Sequence, residues 1–238
     1  MVNSNVYNTF FGIQKAGGIS KGLTSLLYEK RDLLVKTFAN LIVQLGITYY
    51  VMETTEVAED KKGKGKGRYT NILVYLYLIA VIIVLALVPM PAWLKFILFC
   101  TFSYGTGYIL SGIKALVGED ILQTAMQGTI SIFAIMFSLG LFMLLSGIKL
   151  GFKTGIFLFF VLLVLIITRL INNFTAKSST ISKILTIVGI FLFSGYIIYD
   201  TNTILQKNYE GDFITASIDY YLDIINLFIN LVSLNHSE

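Results

Sequence analysis

From about residue 33 onward the chain is a succession of apolar stretches separated by short polar or glycine-containing links. A helix rises about 1.5 Å per residue, so about 20 apolar residues suffice to cross a ~30 Å hydrocarbon core. On that measure the pattern predicts about seven transmembrane helices, at roughly 33–52, 69–88, 92–116, 120–145, 154–171, 181–204 and 213–234. Residues 1–32 read as a polar tail leading into the first helix, and residues 235–238 as a short C-terminal tail. The predicted architecture is an all-α membrane protein with one polytopic domain over residues 33–234.

The links carry signals of their own. Residues 53–68 form a strongly charged link ending in KKGKGKGR, in which Glu53, Glu56, Glu59 and Asp60 largely balance the basic side chains. It reads as a solvated loop. Pro89 and Pro91 mark a tight reversal, and Pro91 suits the first turn of a helix, where a missing N–H is harmless. The third helix is rich in small and hydroxylated residues, among them Thr101, Ser103, Gly105, Thr106 and Gly107, which permit close helix approach in lipid. Lys95 and Lys114, near its ends, are placed to snorkel. Glu119 and Asp120 favour the start of the fourth helix. The fifth reads as a plain lipid-facing span closed by Arg169.

The seventh helix departs from this pattern. Asp219, Asp223, Asn226 and Asn230 recur at helical spacing and share one face. An ionisable side chain in the middle of a spanning helix costs about 2.5–3.5 kcal/mol on insertion scales, so such groups face a bundle interior or a water-filled cavity. The stripe must look inward, with Asp200 of the sixth helix facing its carboxylates. Two carboxylates close together in a poorly solvated site cannot easily both ionise, so they share a proton. Losing that proton leaves mutual repulsion and a divalent-cation site; regaining it removes both. Calcium takes about six to eight oxygen ligands. Asp200, Asp219, Asp223, Thr203 and Asn226 could supply some, with water completing the shell, and so incomplete a site, Asp200 and Asp223 above all, would hold calcium weakly and transiently. The alternative is that the aspartates only cross-link helices six and seven, at about 0.6–2 kcal/mol per hydrogen bond. Asn226 and Asn230 read as interhelical glue rather than ligands, and Tyr196, Tyr199, Tyr220 and Tyr221 as packing or interface anchors.

Composition narrows the class further. Of 238 residues 55% are hydrophobic and 13% charged, far more apolar than a soluble domain. The net charge of +4 is modest and dispersed, so nucleic acid is not an expected partner. A single cysteine, Cys100, excludes intramolecular disulfides and thiolate clusters, and the lone histidine, His236, leaves no material for a multi-histidine metal site or a buried Ser/His dyad. No enzyme is expected, because the aspartates lie in YDT and YLD rather than GxGD. No cofactor is expected either, calcium being cargo. The first thirty residues show no long apolar core with a cleavage site, so no signal peptide is expected. If every segment crosses, the 18 basic residues divide evenly between the two sides, and the positive-inside rule leaves orientation open.

GYIIYDTNTILQK (residues 195–207) followed by ASIDYYLDIINLF (residues 216–228) resembles the C-terminal signature of the Bax inhibitor family, the transmembrane Bax inhibitor motif proteins. LLVKTFANLIVQLGIT at the first helix and ILQTAMQGTISIF at the fourth resemble further family segments, the latter particularly in the Bax inhibitor branch proper. The resemblance implies six helices around a central polar seventh. It also implies a pH-sensitive calcium leak, in the endoplasmic reticulum or another endomembrane or in the plasma membrane, that lowers store calcium and suppresses apoptosis. By motif, the family's proton-sensing pair falls on Asp200 and Asp223, with Asp219 matching an aspartate of some branches only. Bacterial members carry a basic latch near the end of helix two; no Lys or Arg lies between Arg68 and Lys95 here, so that latch is either absent or supplied by Lys95. A function of another class stays open: a non-conducting adaptor that binds death-pathway or calcium-channel membrane proteins.

Overall fold

A computed structural model describes residues 14–15, 23–55, 66–175, 178–206 and 212–236. Most of the predicted N-terminal tail, the greater part of the charged 53–68 link and the end of the C-terminal tail lie outside the described residues. Within them the chain forms seven helices: α1 (Leu23–Thr54), α2 (Lys66–Leu87), α3 (Ala92–Val117), α4 (Glu119–Leu145), α5 (Phe152–Phe174), α6 (Ser179–Gln206) and α7 (Phe213–His236). Among the described residues α1 and α3 to α7 are each long and apolar enough to cross a membrane, and α2 contributes the apolar stretch Leu73–Leu87. The protein is an all-α membrane protein.

Helix α1 starts at Leu23, not near residue 33. The segment before Leu33 is rich in Leu, Glu, Lys and Arg, good helix formers with no proline or glycine to stop them, so the helix runs ahead of the apolar span. The other boundaries fall within a few residues of the predicted ones. Pro91 stands just before α3 with φ −63°, as its position in VPMPAW required. Gly118 closes α3 at φ 81°, a left-handed conformation that costs glycine little. Gly147, at φ 83°, turns the chain out of α4 into β2 (Ile148–Lys149), which pairs antiparallel with β1 (Gln14–Lys15). Two residues per strand give hydropathy alternation nothing to register, so this pair has no signal in the sequence.

The chain divides into two compact units. Among the described residues, one contains α4 beyond residue 122, both short strands, α5, α6 and α7 from residue 222 onward, with the first turns of α1. Its apolar centre is Phe193, Ile197 and Leu227, surrounded by Phe133, Met136, Phe137, Leu162 and Leu231. Glycines let its helices close up: a Cβ on Gly140 of α4 would stand 2.9 Å from the Thr201 Cβ of α6, and one on Gly155 of α5 would stand 2.5 Å from the Tyr199 hydroxyl.

The other unit contains α1 from residue 33, α2, α3, the start of α4 and the first turns of α7 up to residue 221. Here the small residues of α3 do what their composition predicts. Gly105 meets Leu78 of α2, and Gly107 lies against the α1 backbone, where a Cβ would come within 2.6 Å of the Thr48 carbonyl oxygen. Instead of snorkelling alone, the lysines at the two ends of α3 are each paired: Lys114 with Glu53 at the end of α1, and Lys95 with Asp212 just ahead of α7 at 2.5 Å.

Gly107→Leu should therefore overpack the α1–α3 contact and destabilise the protein by about 1–3 kcal/mol. Gly112→Leu, on the same helix with nothing within 4 Å of its would-be Cβ, should be neutral. Thermal unfolding of the two variants in detergent checks this, and equal midpoints would contradict the packing described.

Candidate functional site

Among the helices that qualify as membrane spans, α7 buries the largest share of its apolar window, 50%. A helix in that setting carrying acidic and amide side chains needs a polar or protonated environment for each of them. The predicted stripe is not uniform. Asp223 and Asn230 are buried, with 4% and 1% of their surface exposed, whereas Asn226 is half-buried. Asp219 is also half-buried and belongs to the unit of α1 to α3.

In the unit of α4 to α6, Asp223 comes from α7 and the half-buried Asp200 from α6, and both carboxylates lie within electrostatic reach of the Tyr196 hydroxyl. One turn from Asp200 is Ile197 and one turn from Asp223 is Leu227, both fully inaccessible members of the apolar centre. Thr203, one turn beyond Asp200, is buried, and its hydroxyl oxygen has no hydrogen-bond partner among the described residues. An unmatched buried hydroxyl costs about 1–3 kcal/mol, so it stands out beside a carboxylate as a group in reserve. Among the described residues no three His, Cys, Asp or Glu side chains gather into a metal cage.

Two residues of YDTNTILQ do work that spacing alone did not reveal. Asn202, fully buried, donates its amide to the carbonyls of Ile148 (2.9 Å) and Gly140 (3.4 Å) and accepts from the Leu150 N–H (2.8 Å). Gln206 donates to the Leu150 carbonyl (3.1 Å) and to Asn202. The pair clamps the α4–α5 connection to α6, two residues from Asp200. Asn230 acts as glue, as expected, but its partner was not foreseen: Arg169 turns inward from α5 and donates to Asn230 Oδ1 and to the Leu185 carbonyl (3.1 Å). Gly189 makes room, since a Cβ there would stand 2.9 Å from the guanidinium.

The unit of α1 to α3 holds a second, neutral polar line that the sequence reading passed over. Thr37, Asn40, Gln44 and Thr48 are all buried on one face of α1. Asn40 donates to Ser217 Oγ (2.5 Å), Gln44 to Asn40 (3.3 Å) and Ser103 to Gln44 (2.8 Å), while Thr48 shares a 2.6 Å bond with the Tyr221 hydroxyl. Their spacing is the same signal that exposed the α7 stripe, read on a helix where no charge drew attention to it. Tyr220 and Tyr221 are packing residues: the first stacks on Phe38, and the second sits edge-on to Phe99. Lys95 is committed to Asp212 and to the Thr215 hydroxyl (2.5 Å), which places it at the foot of α7.

Residues 30–237 match the family described as "Inhibitor of apoptosis-promoting Bax1". The chain belongs to that family. Among its relatives, the Golgi anti-apoptotic protein of Vaccinia virus (strain Lister) is 32% identical over 141 residues, covering 59% of this chain and 57% of the viral protein. Bax inhibitor 1 of Schizosaccharomyces pombe is 32% identical over 141 residues, 56% of this chain and 53% of its own. Protein LIFEGUARD 1 of Arabidopsis thaliana is 38% identical over 80 residues, 34% of each chain. The matched stretches thus span between about a third and just over half of the relatives' lengths. Within this Bax inhibitor family chain, the two signature segments supply Asp200, Asn202, Gln206, Ser217, Tyr221 and Asp223. They therefore carry both the acids and the bonds that hold neighbouring elements in place.

The Lys95–Asp212 pair makes a pH dependence that can be measured apart from the buried acids. Burial pushes the Asp212 carboxyl up, but the Lys95 ammonium and the Thr215 hydroxyl and amide outweigh it and hold the group below its ordinary range. A carboxyl lowered in the fold stabilises it above the unfolded value of about 3.9, and that contribution is lost as pH falls towards the folded value. With 38% of the Asp212 side chain exposed, solvent screening keeps the effect small. Unfolding midpoints measured in detergent should drop below about pH 4, and Asp212→Asn should flatten that part of the curve. Superimposable profiles would show that the pair contributes nothing.

Proposed function

We propose that this chain is a proton-sensitive calcium leak of an endomembrane, the endoplasmic reticulum foremost, which lowers store calcium and so suppresses apoptosis. The observation that carries the reading is the burial of the Asp223 carboxyl in α7, 4% exposed, within reach of the same phenol as Asp200 and beside a dry apolar cluster. Carboxyls so placed are held as neutral acids or share a proton, and the ionised form is favoured by an arriving cation. Calcium fits the chemistry because the groups of this unit are hard oxygen donors: Asp200, Asp223 and the unmatched Thr203 hydroxyl, with Asn226 further along α7. With no third acid gathered among the described residues, binding is weak and exchange fast, which suits a pathway. Membership in a family described by inhibition of apoptosis, and relatives named for Golgi and anti-apoptotic roles, support the cellular side and an internal membrane.

Liposomes loaded with a calcium dye and carrying the purified protein should show flux that changes with pH around neutrality. Asp223→Asn should remove the pH dependence, and Asp200→Asn should displace it. A protein that conducts nothing, while its Asp223→Asn variant still protects cells from death, would instead make it an adaptor for death-pathway or calcium-channel proteins.

A further inference from the structure

At the end of the bundle where α5 finishes, α6 begins and α7 finishes, the unit of α4 to α6 contains a polar cavity of about 290 Å³. Arg169 and Lys183 line it together with Asn172, Ser179, Ser182 and Ser233, and among the described residues no acidic side chain does. Arg169 spends only Nη2 on Asn230 and Leu185, so its Nε and Nη1 donors make no hydrogen bond among the described residues. The Lys183 ammonium likewise makes no ion pair or hydrogen bond among them. The floor is built: Asn172, 6% exposed, donates to Ser182 (2.9 Å) and accepts from the Ser178 N–H (3.2 Å), which fixes the first turn of α6 against α5. Two cations with spare donors, hydroxyls and the positive end of α6 converge on a space suited to an anion with several oxygens.

A second cavity of about 290 Å³ shares Leu185 with the first. It is an apolar groove between α5 and α6, lined by Phe157, Phe160, Val164, Leu165, Leu185 and Val188. Leu185 lines both spaces, and Thr168 of the groove adjoins Arg169 of the polar cavity. Along α5 the groove runs from residue 157 to residue 168, about 16 Å at the helical rise and long enough for much of an acyl chain. Val164, 63% exposed, and Phe160, 57% exposed, leave it open to the lipid side.

We infer that α5 and α6 bind one membrane phospholipid, its phosphate held by Arg169 and Lys183 and one acyl chain lying in the groove below. A free phosphate would use the cavity and leave the groove without purpose; a lipid accounts for both. Basic pockets between transmembrane helices take lipid headgroups in this way. The site stands independently of the calcium reading, because neither Asp200 nor Asp223 lines it.

Native mass spectrometry of the full chain, released from mixed micelles, tests the site with three probes: phosphatidylglycerol, a diacylglycerol with the same tails, and inorganic phosphate. Phosphatidylglycerol should be retained over diacylglycerol. Lys183→Gln should lower its retention about fivefold, the effect of one basic residue near a headgroup. Val164→Trp, filling the groove from an exposed position, should lower it as well, whereas Lys153→Gln at the other end of α5 should not. Unchanged retention in both site variants, equal loss in Lys153→Gln, or displacement of the lipid by inorganic phosphate would overturn the proposal. Unfolding midpoints for each variant separate loss of binding from loss of fold.

Discussion

Within the depth of a membrane a polar side chain has no bulk water to fall back on, so each one must be met by another helix or kept neutral. That constraint runs through this protein. On α1, a face of amides and hydroxyls is met by Ser103 of α3 and by Ser217 and Tyr221 of α7. On α5, a guanidinium is met by Asn230 of α7 and an α6 carbonyl. At the two ends of α3, Lys95 finds Asp212 and Lys114 finds Glu53. Each meeting ties together helices that apolar contact alone would let slide, because lipid tails are as apolar as the side chains they would replace.

Asp200 on α6 and Asp223 on α7 are the acids that the family signature sets in these two apolar helices. They sit within electrostatic reach of one tyrosine hydroxyl and one turn from Ile197 and Leu227 respectively, with an unmatched threonine hydroxyl one turn from Asp200. Arg169 is committed to Asn230, and Lys95 to Asp212. The Bax inhibitor signature contains both acids. The same signature spends as many residues on clamps as on acids: Asn202 and Gln206 hold the α4–α5 connection close to Asp200.

Much of this was legible beforehand, for identifiable reasons. Six apolar runs of lipid-spanning length and the shorter one of α2, the proline reversal ahead of α3 and the glycine-rich face of that helix are local properties, and local properties survive folding. The acids on α6 and α7 were legible because a charge in an apolar run stands out whatever surrounds it. The α1 line of Thr37, Asn40, Gln44 and Thr48 had the same periodicity but no charge, and it was overlooked. Arg169 was misread as the outer end of a lipid-facing span, since nothing in helix five marks which way a long side chain will turn.

What the chain determined by itself was which segments lie in lipid and which side chains cannot remain there alone; hydrophobicity and helical period act within one segment and need no partner. Who meets whom was decided by tertiary structure. That Asn230 receives Arg169, that Thr48 receives Tyr221, that Lys95 closes on Asp212, and that two residues of strand join β1 to β2 all depend on helices distant in sequence coming into register. Hydrogen bonds and ion pairs act over about 3 Å, and only packing brings groups that close.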